Sequence, residues 1–190
     1  MEFTKDDFDI SNIELPKAKK VNGSGQAAHL NDDELQTLLN ALPTEQWQTV
    51  FAVTYFTGAR ISEVLSLKVR DIQDDRITYQ ARNTKTKKRR EAMIVPALAK
   101  VLEAYEMPAK GYLFQSNHHH AKKGASLSRQ SAHDVLRTTC DVVFGEGHGI
   151  STHSFRRSFA TNLAQSGVPL AKIQRLLGHK STAMTARYVG

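Results

Sequence analysis

Four short segments of the 190-residue chain gather reactive side chains beside the starts and ends of helical patterns. In the first, residues 57–65, Arg60 opens a helix and Glu63 follows three residues later, a spacing at which a carboxylate meets a guanidinium. The second is the run from Arg82 to Arg90, which carries Lys85 and Lys87. The third, residues 153–157, sets His153 and Arg156 one turn apart at a helix N-terminus, where free backbone N–H groups favour an anion. The fourth is Leu176-Leu177-Gly178-His179, with Tyr188 nine residues beyond the histidine. Each segment alone has an ordinary structural reading; Arg60 and Glu63, for example, form a common helix-surface pair.

Taken in order, the residue types fit one chemical design. Two arginines can clamp the non-bridging oxygens of a phosphodiester by bidentate hydrogen bonds. Histidines and a lysine can move protons and stabilise charge, and a tyrosine hydroxyl can attack phosphorus. Carboxylates are scarce, with only Asp134, Asp141 and Glu146 in residues 107–190. A two-metal nuclease needs clustered acids to hold its ions, so that mechanism is disfavoured. His118-His119-His120 has no carboxylate or cysteine at ligand spacing beside it and reads as loop, so no metal site is expected.

The charge distribution points to a polyanion. Residues 1–34 contain eight acids and four bases, whereas residues 35–190 contain 22 bases and 11 acids. Six bases and no acid fall in the nine positions from Arg82 to Arg90, a run that repels itself unless a polyanion or solvent lies against it. The composition, 40% hydrophobic and 24% charged, is that of a globular chain with material for one sizeable core. The most apolar stretch, near residues 47–56, is too short to span a bilayer, and the acidic start MEFTKDDFDI is unlike a signal peptide. The single Cys140 excludes an internal disulfide and thiolate-rich zinc sites, which suits a reducing cytosol.

The elements that must position these groups are mostly helical. Residues 1–28 lack a sustained apolar period and read as a linker or arm. Asn31 with Glu34 forms a capping-box pattern before Leu35, Leu38, Leu39 and Leu42. Thr44 caps a second, more apolar helix that Gly58 ends, and a third runs from Arg60 to about Leu67. The period then changes to strands at residues 77–79 and 92–95, with the basic run as the hairpin tip between them, and a weak strand at 112–114. Helices follow at 97–105, from Ser128, from Thr152, from Pro169 and from Ser181. The expected fold class is mainly α with a small antiparallel β-sheet.

TGARISEVLSL, TKTKKRR followed by an MIVP strand, HSFRRSFAT, LLGH and the tyrosine nine residues on together resemble the catalytic domain of tyrosine recombinases, the family of phage integrases and bacterial Xer proteins. The resemblance covers about residues 30–189, so residues 29–190 are expected to form the catalytic domain. It implies that Arg60 and Arg156 hold the scissile phosphate, with Glu63 in support. Lys85, or Lys87 if the register shifts by two, protonates the leaving 5′ oxygen. His153 and His179 assist proton transfer and bind the phosphate, and Tyr188 forms a covalent 3′-phosphotyrosyl link. Arg82, Lys87, Lys88, Arg89 and Arg90 are expected to contact DNA. The implied partners are double-stranded DNA and further copies of the protein, a tetramer in the full synaptic complex, with no cofactor, no membrane and a cytoplasmic, nucleoid-associated location.

Three features depart from the family pattern. Arg157 stands where a second histidine is usual. Only an arm precedes the match where the family carries a DNA-clamping domain, and the chain stops two residues after Tyr188. The resemblance allows an excised catalytic domain or a naturally short member similar to the fimbrial-switch invertases. The linker-like residues 15–28 and the abrupt end of the final helix favour the first. Tyr188, on a short final helix, is expected to be among the less firmly held site residues. The alternatives are a topoisomerase-like enzyme that reseals the strand it nicks and a DNA-binding regulator without catalysis; the filled catalytic positions argue against the second.

Overall fold

The computed structural model describes residues 27–84, 87–117 and 121–189. Most of the predicted arm, the hairpin lysine Lys85 and the triplet His118–His120 lie outside the described residues. The chain forms α1 (Asp32–Ala41), α2 (Glu45–Thr57) and α3 (Ile61–Leu65). A three-stranded sheet follows, made of β1 (Ile72–Gln73), β2 (Arg76–Tyr79) and β3 (Arg90–Met93). The remainder is α4 (Pro96–Ala104), α5 (Arg129–Phe144), α6 (Thr152–Gln165), α7 (Leu170–Leu177) and α8 (Thr182–Val189). The sheet is antiparallel in the order β1-β2-β3, with Ile77 opposite Ala92 and Tyr79 opposite Arg90.

Local chemistry sets the helix ends. Asn31 accepts the Glu34 N–H at 2.8 Å while the Glu34 carboxylate accepts the Asn31 N–H at 3.0 Å, closing the capping box. Thr44 and Ser128 cap α2 and α5 through their side chains, and Ser151 caps α6. The predicted strand at 112–114 is not one. That stretch makes only the isolated bridge from Tyr112 to Lys68, and Tyr105 Oη and the Leu127 N–H donate to its carbonyls. Its backbone groups are satisfied without a ladder.

Helix α2 is buried around most of its circumference, from Trp47 through Val50, Phe51 and Val53 to Thr57, so it serves as the central post. The Phe51 ring stacks on Phe155 of α6 with centroids 4.9 Å apart. Burying each such side chain contributes about 1.5–3 kcal/mol. Helix α6 continues past this main core into a second, smaller cluster made by Ala160, Ile173 and Leu177, on which Phe159 and Tyr188 pack. It therefore joins the body of the protein to α7 and α8. The N-terminal stretch is tied to the same helix: the Leu30 N–H donates to Ser158 Oγ at 2.8 Å, and Arg157 Nη1 donates to Ala27 O at 2.7 Å.

Candidate active site

Two left-handed turns aim the site. Gly58 (φ 58°) ends α2 and Gly178 (φ 64°) ends α7. A Cβ on Gly58 would collide with the Phe159 ring and lie 2.9 Å from Leu177 Cδ2, so the position needs glycine twice over. Two residues after Gly58 comes Arg60, the N-cap of α3, and directly after Gly178 comes His179.

Glu63 organises Arg60. Its Oε2 accepts the Arg60 backbone N–H at 3.0 Å and its Oε1 accepts from Arg60 Nη1 at 2.9 Å. The glutamate side chain is 2% exposed and that of Arg60 is 21% exposed, so a buried anchor presents a guanidinium to the surface. Arg156 is placed differently. It is 1% exposed, and its Nη1 and Nη2 donate to Gly58 O and Leu177 O. Among the described residues nothing accepts a hydrogen bond from its buried Nε. Burial first, and then the Arg60 charge, hold the Arg156 guanidinium below the usual arginine range, with Glu63 opposing them.

His179 is buried beside both arginines. Its Nδ1 lies 3.0 Å from Thr185 Oγ1, and its ring centroid is 5.1 Å from that of Tyr188. Burial, reinforced by Arg156 and then Arg60, pushes its pKa down to about 4, so the imidazole is neutral at pH 7. With Nδ1 engaged by Thr185, Nε2 is the ring nitrogen left for chemistry. Tyr188 is half-buried, and its backbone oxygen accepts from Thr161 Oγ1 at 2.9 Å. It lies close enough to Arg156 to bear on that guanidinium. The final helix is thus docked on α6 and α7 rather than loosely appended.

The structure therefore brings Arg60, Glu63, Arg156, His179 and Tyr188 together from α3, α6, the α7–α8 turn and α8. His153, one turn before Arg156, is exposed. Arg82, Lys87, Lys88 and Arg89 are exposed on the hairpin side, Lys87 with a φ of 52°. Arg90, the last base of the run, is instead turned inward and its side chain is 12% exposed. A cleft of about 490 Å³ opens between the hairpin and α7, lined among others by Arg60, Lys88, Arg89, Arg175, His179 and Lys180, with the inward-turned Arg90 forming part of its wall. Sequence reasoning does not single out Arg175, Lys180 or Thr185. The first two are bases flanking the Leu176–His179 motif, and Thr185 sits three residues before Tyr188, a spacing that puts both on one helix face. Three arginines around one buried carboxylate leave a positive site suited to a phosphate. Among the described residues no group of three or more His, Cys, Asp or Glu could hold a metal ion, and no helix is long and apolar enough to cross a membrane.

The sequence model of the phage integrase family matches residues 28–190. The putative integrase/recombinase y4qK of Sinorhizobium fredii is 32% identical over 165 residues, spanning 84% of this chain and 51% of that protein. The tyrosine recombinase XerD of Corynebacterium glutamicum is 32% identical over 189 residues, spanning 90% of this chain and 60% of its own length. The fold is shared with the XerH site-specific recombinase bound to its difH substrate, at a TM-score of 0.65 and 24% identity over 94% of this chain and 53% of that one. The chain thus spans little more than half the length of these relatives.

Proposed function

The chain belongs to the phage integrase family, and from that premise we propose that it carries the catalytic centre of a site-specific DNA recombinase. The observation that carries this reading is the convergence of Arg60, Arg156, His179 and Tyr188 beside a positively lined cleft. In the proposed reaction Tyr188 Oη attacks the phosphorus of a DNA phosphodiester while its proton passes through the neutral His179 Nε2 to solvent. A 3′-phosphotyrosyl bond forms as the bond to the 5′ oxygen breaks, and that oxygen leaves as a hydroxyl. Arg60 and Arg156 neutralise the charge that grows on the non-bridging oxygens. His179, neutral at pH 7, hydrogen-bonds the phosphate or the tyrosine through Nε2. Lys85 protonates the leaving oxygen, and His153 is drawn onto the phosphate when DNA binds. A 5′ hydroxyl from another strand then reverses the step, so the bond energy is retained in the enzyme–DNA link.

Double-stranded DNA is the proposed partner, supported by the exposed bases of the hairpin and by the related XerH recombinase bound to its difH substrate. Assembly on DNA into a tetramer, within the nucleoid of a cell, belongs to the same reading and rests on the family resemblance. The test uses a pool of nicked duplexes of randomised sequence, from which covalent protein–DNA adducts are recovered after denaturation. The native chain should yield an adduct without divalent metal, and Tyr188→Phe should yield none. An adduct that persists in Tyr188→Phe places the nucleophile elsewhere. Strand exchange between two recovered sites separates recombination from nicking and resealing of one strand.

A further inference from the structure

Arg90 and Arg156 hold the same two helix ends. Arg90 Nη1 donates to Thr57 O at 3.1 Å and to Leu176 O at 2.8 Å. Arg156 takes the next carbonyl on each helix, Gly58 O and Leu177 O. The last carbonyls of a helix lack intrahelical partners and carry the negative end of its dipole. Here two arginines from different elements each bridge the C-terminus of α2 to that of α7, one rung apart.

Arg90 is also fixed on its other sides. Its guanidinium lies 4.4 Å over the Tyr79 ring centroid, and Nη2 is 3.6 Å from Glu63 Oε2. The Thr57 hydroxyl proton goes to Val53 O at 2.6 Å, so Tyr79 Oη must donate to Thr57 Oγ1, 2.7 Å away. Tyr79 is fully buried and in turn shapes the floor under Arg90. One side chain of β3 therefore touches α2, α3, α7 and β2. Arg60 and His179 follow these two helix ends by no more than three residues.

We propose that Arg90 is a positioning residue which, as the second rung beside Arg156, fixes the ends of α2 and α7 so that Arg60 and His179 face one phosphate, and that it is not itself a DNA contact. The proposal rests on the recombinase reading for the identity of that phosphate. A planar guanidinium lies face-on over the Tyr79 ring while Nη1 serves both carbonyls and Nη2 faces Glu63; a lysine ammonium, with one nitrogen and no plane, cannot make all of these contacts at once. Displacing a reacting group by about 1 Å can cost on the order of a hundredfold in rate.

Arg90→Gln and Arg90→Lys test this in three measurements. These are single-turnover adduct formation at saturating protein on the randomised nicked pool, affinity for that pool across salt, and the His179 ring resonance of the DNA-free protein. In both variants adduct formation should fall tenfold or more while affinity stays within twofold, the salt slope holds and the His179 resonance shifts. A salt slope smaller by about one, with adduct formation unchanged at saturation, would make Arg90 a phosphate contact and overturn the proposal. Unaltered behaviour in all three measurements overturns it too, as does loss of the folded state in both variants. If the native chain forms no adduct, the recombinase reading fails separately. The resonance then decides the positioning role, a shift in both variants supporting it and no shift overturning it.

Discussion

Arg60 and Arg156 play unequal parts although both are assigned to the phosphate. Arg60 reaches the surface from its bond to Glu63, so Arg60→Ala should leave the fold standing. Adduct formation should fall by about 10³–10⁵, the scale of a lost transition-state arginine in phosphoryl transfer, as read in single turnover. Arg156→Ala would also strip Gly58 O and Leu177 O of their donors and open a cavity in the interior. Urea denaturation should show it less stable by about 2–4 kcal/mol, where Arg60→Ala, which leaves Glu63 the residue-60 backbone N–H and Arg90, shows a smaller loss. His179 gives a pH signature. Its unfolded form takes up a proton near the ordinary 6.5 and its folded form only near 4, so below pH 6.5 protons favour the unfolded chain. Stability from this residue is complete above pH 6.5, is lost as pH falls towards 4 and then levels. Thermal melts of the native protein and His179→Gln should therefore converge by on the order of 2 kcal/mol over that window.

At the scale of elements, the two glycine turns carry the largest stake. Gly58→Ala would force a side chain into the left-handed region and against Phe159, costing about 2–3 kcal/mol and lowering Tm by roughly 5–10 °C, which calorimetry can check. Such turns were legible in the sequence because their signals are local: a glycine after an apolar period, or Asn31 with Glu34 at capping distance. For the same reason α1, α2, α5, α6 and α7 stand where their caps and stops put them. What escaped was set by distant contacts. The apolar stretch 112–114 has strand composition, yet its partners are a single bridge and side chains from elsewhere. Strand β1, two residues long, is too short to show a period. A run of bases does not say which base turns inward, and Arg90 does so because two helix ends and the Tyr79 ring wait beneath it. The bond of Thr185 to His179 crosses the α7–α8 turn and was visible only once that turn had folded.

Across the whole molecule, the basic face should dominate DNA affinity. Each phosphate neutralised releases condensed counterions, so affinity for random duplex should fall by about 10³ between 50 and 200 mM salt if some six phosphates are met. Fluorescence anisotropy across that range checks this, and indifference to salt would rule out a chiefly electrostatic interface. The docking of α8 has a different consequence. Thr161 holds the Tyr188 backbone, and the Tyr188 ring lies against His179 of its own chain. The proposed attacking group and the groups proposed to stabilise charge thus lie within a single polypeptide. Mixing Tyr188→Phe protein with Arg60→Ala protein should accordingly restore no cleavage, because neither chain can lend its intact half to the other. Diluting native protein with Tyr188→Phe should lower the first cut only in proportion to the native fraction. Each subunit in an assembly would answer for one strand, and silencing one would leave the cuts of its neighbours independently countable.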